Sequence, residues 1–437
     1  MKKIVLLIFI SFQALSQIKT GPMIGYTEMR EILIWVQTKK SQKVKIQFSE
    51  IENPSNIQIS DEIMTSKTDG FIAKIILSDL KPGKKYAYSV ILDKKTQSLP
   101  YETTFKTQAL WQYRTDPPNF KVAVGSCVYI GDSTFDRPGR SYGASYEIFK
   151  TIADQKPDMM IWGGDNTYYR EVDYYTRSGM ISRMTHTRAV PEMQELLGST
   201  PNYAIWDDHD YGNNDSDRGF WLKNTALDVF KLFWANPNYV FPNEAITGTT
   251  TMNDVQFFFL DDRWWKAPND RKETGTRDYL GDKQLQWLID ALKSSSASFK
   301  IIVNGGQIVN TSKVFENMAN YETERATLLD LISKEKIPGV FFISGDRHHS
   351  VMHKLEREGT YPLYDLTASP ITSGPAKPLK EEYENKTILP ETVVEGKRNF
   401  ATLEFSGPLK ERIMKISILD KDGKSLWDKQ LSVKDLK

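Results

Sequence analysis

The 437-residue chain has a single cysteine, Cys127. No intramolecular disulfide can form, so the fold has to rest on burial and hydrogen bonding. Excess charge is also missing. The 57 basic side chains stand against 56 acidic ones, leaving no global field to gather nucleic acid or anionic lipid, and no specific nucleic-acid binding is expected. Long hydrophobic runs are missing as well. The apolar block from Ile4 to Leu15 is shorter than the roughly 20 residues that span a bilayer. With Lys2-Lys3 before it and the small residues Ala14 and Ser16 at its end, it reads as a secretory leader over residues 1–17. The expectation is an exported, periplasmic or extracellular protein, monomeric and with no transmembrane span. Low-complexity tracts are absent too, while 40% hydrophobic and 12% aromatic residues suffice for a folded chain of more than one domain.

What is present falls into two patterns. From about Ile18 to Thr107 the apolar residues recur with period two, as in Val44-Lys45-Ile46-Gln47-Phe48 and Tyr86-Ala87-Tyr88-Ser89-Val90, and turn residues such as Lys81-Pro82-Gly83 divide the runs. This predicts an all-β sandwich over residues 18–110, of immunoglobulin or fibronectin III type. After the polar connector Tyr113 to Asn119, strand-like and helix-period segments alternate, which predicts an α/β layered catalytic domain over residues 119–437. Strands are expected at 120–125, 159–163, 203–206, 255–260, 300–304 and 340–343. Helices are expected at 142–155, 222–234, 281–293 and 322–334, and a long loop at 166–188. The β-patterned tail from Phe400 onward is expected to add strands to the second sheet.

The chemistry sits where strands end. Gly163-Gly164-Asp165, Trp206-Asp207-Asp208-His209-Asp210 and Gly345-Asp346-Arg347-His348-His349 each follow an apolar strand-like run. In open α/β sheets that edge is where active sites form. Four ionisable groups in a row at Asp207 to Asp210 repel one another unless something positive sits beside them. With five histidines in the chain, an adjacent pair at a strand end carries weight. In an extended segment Asp346 and His348 would face one site, with Arg347 and His349 turned away. Cys127 closes the first strand of the α/β region, so a thiolate ligand is favoured over an inert buried thiol. Taken alone, Asp165 after two glycines could equally cap a turn. Together, carboxylate, imidazole and thiol recurring after several strands point to a hydrolytic metal centre.

In order and spacing, Gly125-Ser126-Cys127, Gly164-Asp165-Asn166-Thr167-Tyr168, Trp206-Asp207-Asp208-His209-Asp210 and Ser344-Gly345-Asp346-Arg347-His348 resemble the signature blocks of the PhoD-like alkaline phosphatases and phosphodiesterases, within the calcineurin-like metallophosphatases. The resemblance covers nearly the whole chain from Ile18. It implies a four-layer metallophosphatase fold behind a β-sandwich and a mixed Fe3+ and Ca2+ site, with Zn2+ or Mn2+ as the other candidates. Cys127, Asp165, Tyr168 and His348 would hold iron, while Asp165, Asp208 and Asp346 would hold calcium. Asp165 would bridge the two and count with His209 as catalytic. Arg170, Asn213 and Asn214 are candidates to bind substrate, Asn213 and Asn214 being equally suited to a turn. Tyr169 and Arg188 share the candidate phosphate-binding loop with Arg170. The block Asn304 to Gln307 departs from the family pattern, and His186 has no assigned role.

The activity implied is hydrolysis of a small-molecule or polymeric phosphoester by metal-bound hydroxide, releasing phosphate. Two other readings stand beside it: a phospholipase D-like or cell-envelope-polymer diesterase, and a surface-binding protein with a degenerate hydrolase domain.

Overall fold

The structure, a computed structural model, describes residues 17–139, 141–272 and 277–437. The leader read at residues 1–17 lies, apart from Gln17, outside the described residues. The amino-terminal part is a two-sheet β-sandwich. Strands Ile18–Thr27, Ile32–Thr38 and Ile72–Leu77 form one sheet, and Lys43–Glu50 with Lys85–Leu92 form the centre of the other. The alternation explains the second sheet: Val44, Ile46 and Phe48 face the sandwich core while Lys45 and Gln47 face outward. Strand Ile32–Thr38 is apolar without alternation because both its faces are covered. Ile32, Ile34 and Val36 enter the sandwich core, and Leu33 and Trp35 pack into the core of the α/β region.

That region holds two six-stranded sheets. In the first, Asn202–Ile205, Met159–Gly163 and Phe120–Gly125 run parallel. Asn399–Ser406, Ile413–Asp420 and Ser425–Ser432 continue it antiparallel. In the second, Val255–Phe259, Phe299–Val303, Val340–Ser344 and Leu363–Thr367 run parallel, with Gly248–Met252 and Val351–Leu355 antiparallel at the edges. The sheets face one another through ring pairs such as Tyr203 with Phe259, 5.9 Å apart, and Phe299 with Phe405, 5.6 Å apart. Outside the first sheet, Trp162 meets Phe149 of helix Ile148–Asp154 and Trp234, just after helix Lys223–Phe233. Outside the second, Phe258 meets Trp287 of helix Asp282–Ser294. Helix, sheet, sheet, helix is the four-layer arrangement expected.

Two expectations need correction. The carboxy-terminal strands join the first sheet, pairing with Phe120–Gly125, because an alternating strand advertises a buried face and not the neighbour it will pair with. The segment 166–188 is only partly a loop, since Arg177–Arg188 is a helix. Thr176 caps it by accepting a hydrogen bond from the Gly179 amide. Among the described residues no helix is long and apolar enough to cross a membrane.

Candidate metal centre

The parallel strands of both sheets end at one edge, and glycines let those ends touch. A Cβ on Gly345 would stand 2.6 Å from Ser126 Oγ and 2.8 Å from Gly163 O, and one on Gly305 would meet Asp207 Oδ2 at 2.6 Å. Only a bare backbone fits there. The backbone is also bent into the left-handed region at Cys127, Asp165, Asp346 and His348, with φ of 59°, 54°, 62° and 56°. Four such non-glycine residues around one point are costly, and such strain concentrates at functional sites. Asp346 and His348 therefore sit in left-handed turns and not in the extended segment expected.

The side chains converge. Cys127 Sγ lies 3.8 Å from Asp165 Oδ2, and the Tyr168 hydroxyl donates to that same oxygen at 3.1 Å. Tyr168 is also 3.2 Å from His348 Nε2. His348 Nδ1 lies 2.9 Å from the carbonyl of Gly374. A carbonyl only accepts, so Nδ1 carries the proton and Nε2 turns a lone pair to the cluster. Donor atoms of Cys127, Asp165 and His348 lie within 4.8 Å of one another, as do those of Asp165, Asp208 and His209. Asp165 thus belongs to both groups. Its loop is fixed from two sides: Val128 N donates to Asp165 O at 2.7 Å, and His209 N to Asp165 Oδ1 at 3.3 Å.

The electrostatics ask for a cation. Burial, with Asp208 and Cys127 adding to it, raises Asp165 well above the usual carboxylate range. Burial likewise pushes the Cys127 thiol up to about 11, against hydrogen bonds from Ser369 and Ser126, and Asp346 up to about 6. His348 and His209 are pushed down by burial, which favours the neutral imidazole. Burial raises Asp208 too, but His209 and Arg263 outweigh it and hold that carboxyl below its usual range. A positive ion would let these acids ionise together, and the residues present fit one. Cys127 sulfur and His348 nitrogen gather with Asp165 in one group, and Asp208 oxygen and His209 nitrogen gather with it in the other. Asp207 Oδ2 and His209 Nδ1 are buried without a hydrogen-bond partner among the described residues.

Comparison with known proteins points to phosphatases. Residues 243–412 match the PhoD-like phosphatase family, and residues 15–110 match a domain family of unknown function, DUF7800. Alkaline phosphatase D of Bacillus subtilis (strain 168) is 22% identical over 254 residues, which are 47% of this chain and 43% of the relative. The solved structure of PhoD superposes with a TM-score of 0.76 at 17% identity, covering 95% of this chain and 92% of that one. The match to the PhoD-like phosphatase family is carried by residues 243–412. Purple acid phosphatase PPD1 from yellow lupin (Lupinus luteus) shares the fold, with a TM-score of 0.64 at 13% identity, covering 94% of this chain and 74% of that one. The chain thus spans less than half the length of the curated relative.

Not every predicted residue reaches the cluster. Arg170 does reach its rim, its guanidinium 4.7 Å over the Tyr129 ring and 5.8 Å from the centre of Tyr168. The Asn213 side chain serves a turn instead, donating to Asn214 O and accepting from Ser216 Oγ, each at 3.1 Å, and Asn214 is exposed. Arg188 is buried away from the loop tip, 3.9 Å over the Trp234 ring. His186 ties helix Arg177–Arg188 to the Gly131 carbonyl, 2.9 Å from Nε2. Asp207 and Asp210 hold the turn at Asp208: Asp207 caps the short helix Asp208–Tyr211, and Asp210 accepts from Asn166 N and Nδ2 at 2.9 Å each.

Sequence reasoning missed the layer beneath. Arg263 is fully buried between Asp207, with which it pairs closely, Asp262 at 3.4 Å and Glu316 at 2.6 Å. Lys266 meets the other oxygen of Glu316 at 2.5 Å. The positive charge anticipated beside Asp207 is therefore, in part, this guanidinium. A signal existed, because Leu260-Asp261-Asp262-Arg263 follows strand Val255–Phe259 with the same apolar-then-acidic pattern as the other blocks. The Asn304 block joins as well: Asn304 is buried at the next strand end, and Gly305 O accepts from Gly345 N at 2.7 Å.

Proposed function

We propose that this chain is a metal-dependent phosphoester hydrolase whose site is the cluster of Cys127, Asp165, Tyr168, Asp208, Asp346 and His348. The observation that carries this reading is Asp165, whose carboxylate belongs to both donor groups at once and could bridge two ions. Cys127, Tyr168, His348 and Asp165 suit ferric iron, and the carboxylates of Asp165, Asp208 and Asp346 suit calcium. Bound ions would supply the positive charge that polarises a phosphoryl group and activates water at neutral pH. The protein supplies placement. The walls of Cys127, Asp165 and Tyr168 are buried and keep bulk water from the ligands. The Arg170 guanidinium, at the rim, can hold a phosphoryl oxygen. Water attacks phosphorus, the ester P–O bond breaks, and the departing oxygen takes up a proton. His209, held 4.2 Å from the Tyr168 ring at a tilt of 35°, is placed to donate an N–H hydrogen bond to the developing charge.

The family likeness and the donor set support this reading. The sandwich over residues 18–110 and the catalytic region over 119–437 are proposed as the two domains. Export is proposed from the Lys2-Lys3 and Ile4 to Leu15 pattern. The test is elemental analysis of the purified protein with a visible spectrum and phosphoester turnover on the same sample. Iron and calcium near stoichiometry, with a thiolate or phenolate charge-transfer band, is the expected result. Zinc or manganese alone would keep the hydrolase and discard the Cys127 and Tyr168 roles. A protein that takes up no metal would end the reading.

A further inference from the structure

The loop between strand Phe299–Val303 and helix Glu322–Lys334 turns two neighbours in opposite directions. Glu316 goes inward to Arg263 and Lys266, while Phe315 stays outside, 62% exposed. Phe315 also has φ of 46°, a conformation that a bulky residue occupies only at a cost. The loop holds it there: Val314 and Glu316 on either side are buried, and Asn320 Nδ2 donates to the Phe315 carbonyl at 2.9 Å. A strained phenyl ring in solvent adds little to folding, so its use lies elsewhere.

Its position suggests what that use is. One face of the ring lies 4.1 Å from Arg347 Cζ. Arg347 is fixed by two 2.8 Å hydrogen bonds to Glu382, and its Nη1 is 4.0 Å from Asp346 Oδ2. Solvent reaches Asp346, 21% of whose side chain is exposed, whereas Asp165 and Asp208 are buried. The cluster therefore opens at Asp346. By His348, two residues on, stands a second exposed ring, Tyr142, 43% accessible and 5.7 Å from the His348 ring. Two exposed rings thus lie near Asp346, one against Arg347 and one beside His348.

We propose that Phe315, with Tyr142, forms a leaving-group subsite that favours phosphoesters of planar, unsaturated alcohols over those of small polyols. A phosphoryl group seated at the buried ligands has to direct its ester substituent out past Asp346, near these rings. Stacking against the free face of Phe315 then adds binding that a glycerol group cannot match. The proposal rests on the hydrolase reading above.

The test uses the metal-loaded full chain. The kcat/KM for 4-nitrophenyl phosphate is divided by that for glycerol 2-phosphate in wild type, F315A and F315W. Binding of phenylphosphonate is compared with methylphosphonate by calorimetry, which needs no turnover. In F315A both ratios should fall about fivefold, the size of one aromatic contact, and F315W should restore them. Ratios that stay fixed, or a loss shared equally by both members of each pair, would overturn the subsite. If wild type hydrolyses neither ester, the hydrolase reading fails, and the phosphonate pair still decides the subsite.

Discussion

At the residue scale, the proposed roles of Asp165 and His209 are told apart by metal content and turnover. Asp165 sits in both donor groups, while His209 sits in one of them, 4.2 Å from the Tyr168 ring and with its Nδ1 unpartnered among the described residues. Asp165→Asn should therefore lose bound metal and turnover together. His209→Ala should keep the metal and lose about a hundredfold or more in kcat. Metal analysis beside kinetics on both variants checks this, and an Asp165→Asn protein with full activity would refute the site. Tyr142 allows a finer test. Its hydroxyl is 2.7 Å from His348 Nδ1, which also has the Gly374 carbonyl. With one of two orienting partners gone, Tyr142→Phe should weaken metal affinity by about tenfold, the low end for groups that orient a ligand. Competition with a chelator reads this directly. No change in affinity would mean that Gly374 alone orients the ring.

At the element scale, the acidic turn Asp207 to Asp210 depends on the segment after strand Val255–Phe259, which brings Arg263 beneath it. Removing one partner from a buried charged network leaves the others uncompensated. Arg263→Met should cost about 3 kcal/mol, and Arg263→Met with Glu316→Gln should recover part of that. Urea midpoints in the presence of chelator measure it apart from metal binding. A single variant with an unchanged midpoint would show that the network adds nothing to stability.

The same elements show what could be read in advance. The strand ends were legible because each short apolar run is followed at once by glycine and a carboxylate, a local pattern. The layer of Arg263, Lys266 and Glu316 was not, since its partners lie about fifty residues apart in the chain and no local periodicity links them. Helix Arg177–Arg188 was hidden because it is polar, burying Arg183 and Arg188 beside Met180 and Met184. Its Thr176 cap was the one signal available. The carboxy-terminal strands were visible as strands, but their pairing with Phe120–Gly125 is a choice made by the assembled sheet.

At the scale of the whole molecule, the sandwich is a working part of the fold. Trp35 Nε1 donates to Leu232 O at 3.0 Å, Tyr88 OH to Gly198 O at 2.6 Å, and Thr20 Oγ1 to Arg188 O at 2.6 Å. These contacts brace the helices behind the first sheet, so stability and site are linked across the molecule, and pH should reveal the link. Burial raises the carboxyls of Asp165 and Asp346 and the thiol of Cys127, with Asp346 at about 6 and Cys127 at about 11. A raised folded-state pKa gives stability that is complete below the unfolded pKa and is lost as pH rises through the folded value. Without metal, the protein should thus weaken as pH climbs through about 6. With metal, the same groups are held ionised, and each proton expelled on binding makes affinity grow with pH. Both effects have one sign: the gap in Tm between metal-loaded and chelated protein should widen from pH 6 to pH 8. At a hundredfold excess over Kd the stabilisation is about 2.7 kcal/mol. Thermal unfolding at the two pH values, with metal buffered at one free concentration, decides the matter. A gap that stays constant or narrows would mean that the ligands are already ionised without metal, and that the buried cluster is neutralised by Arg263 and its neighbours and not by a bound cation.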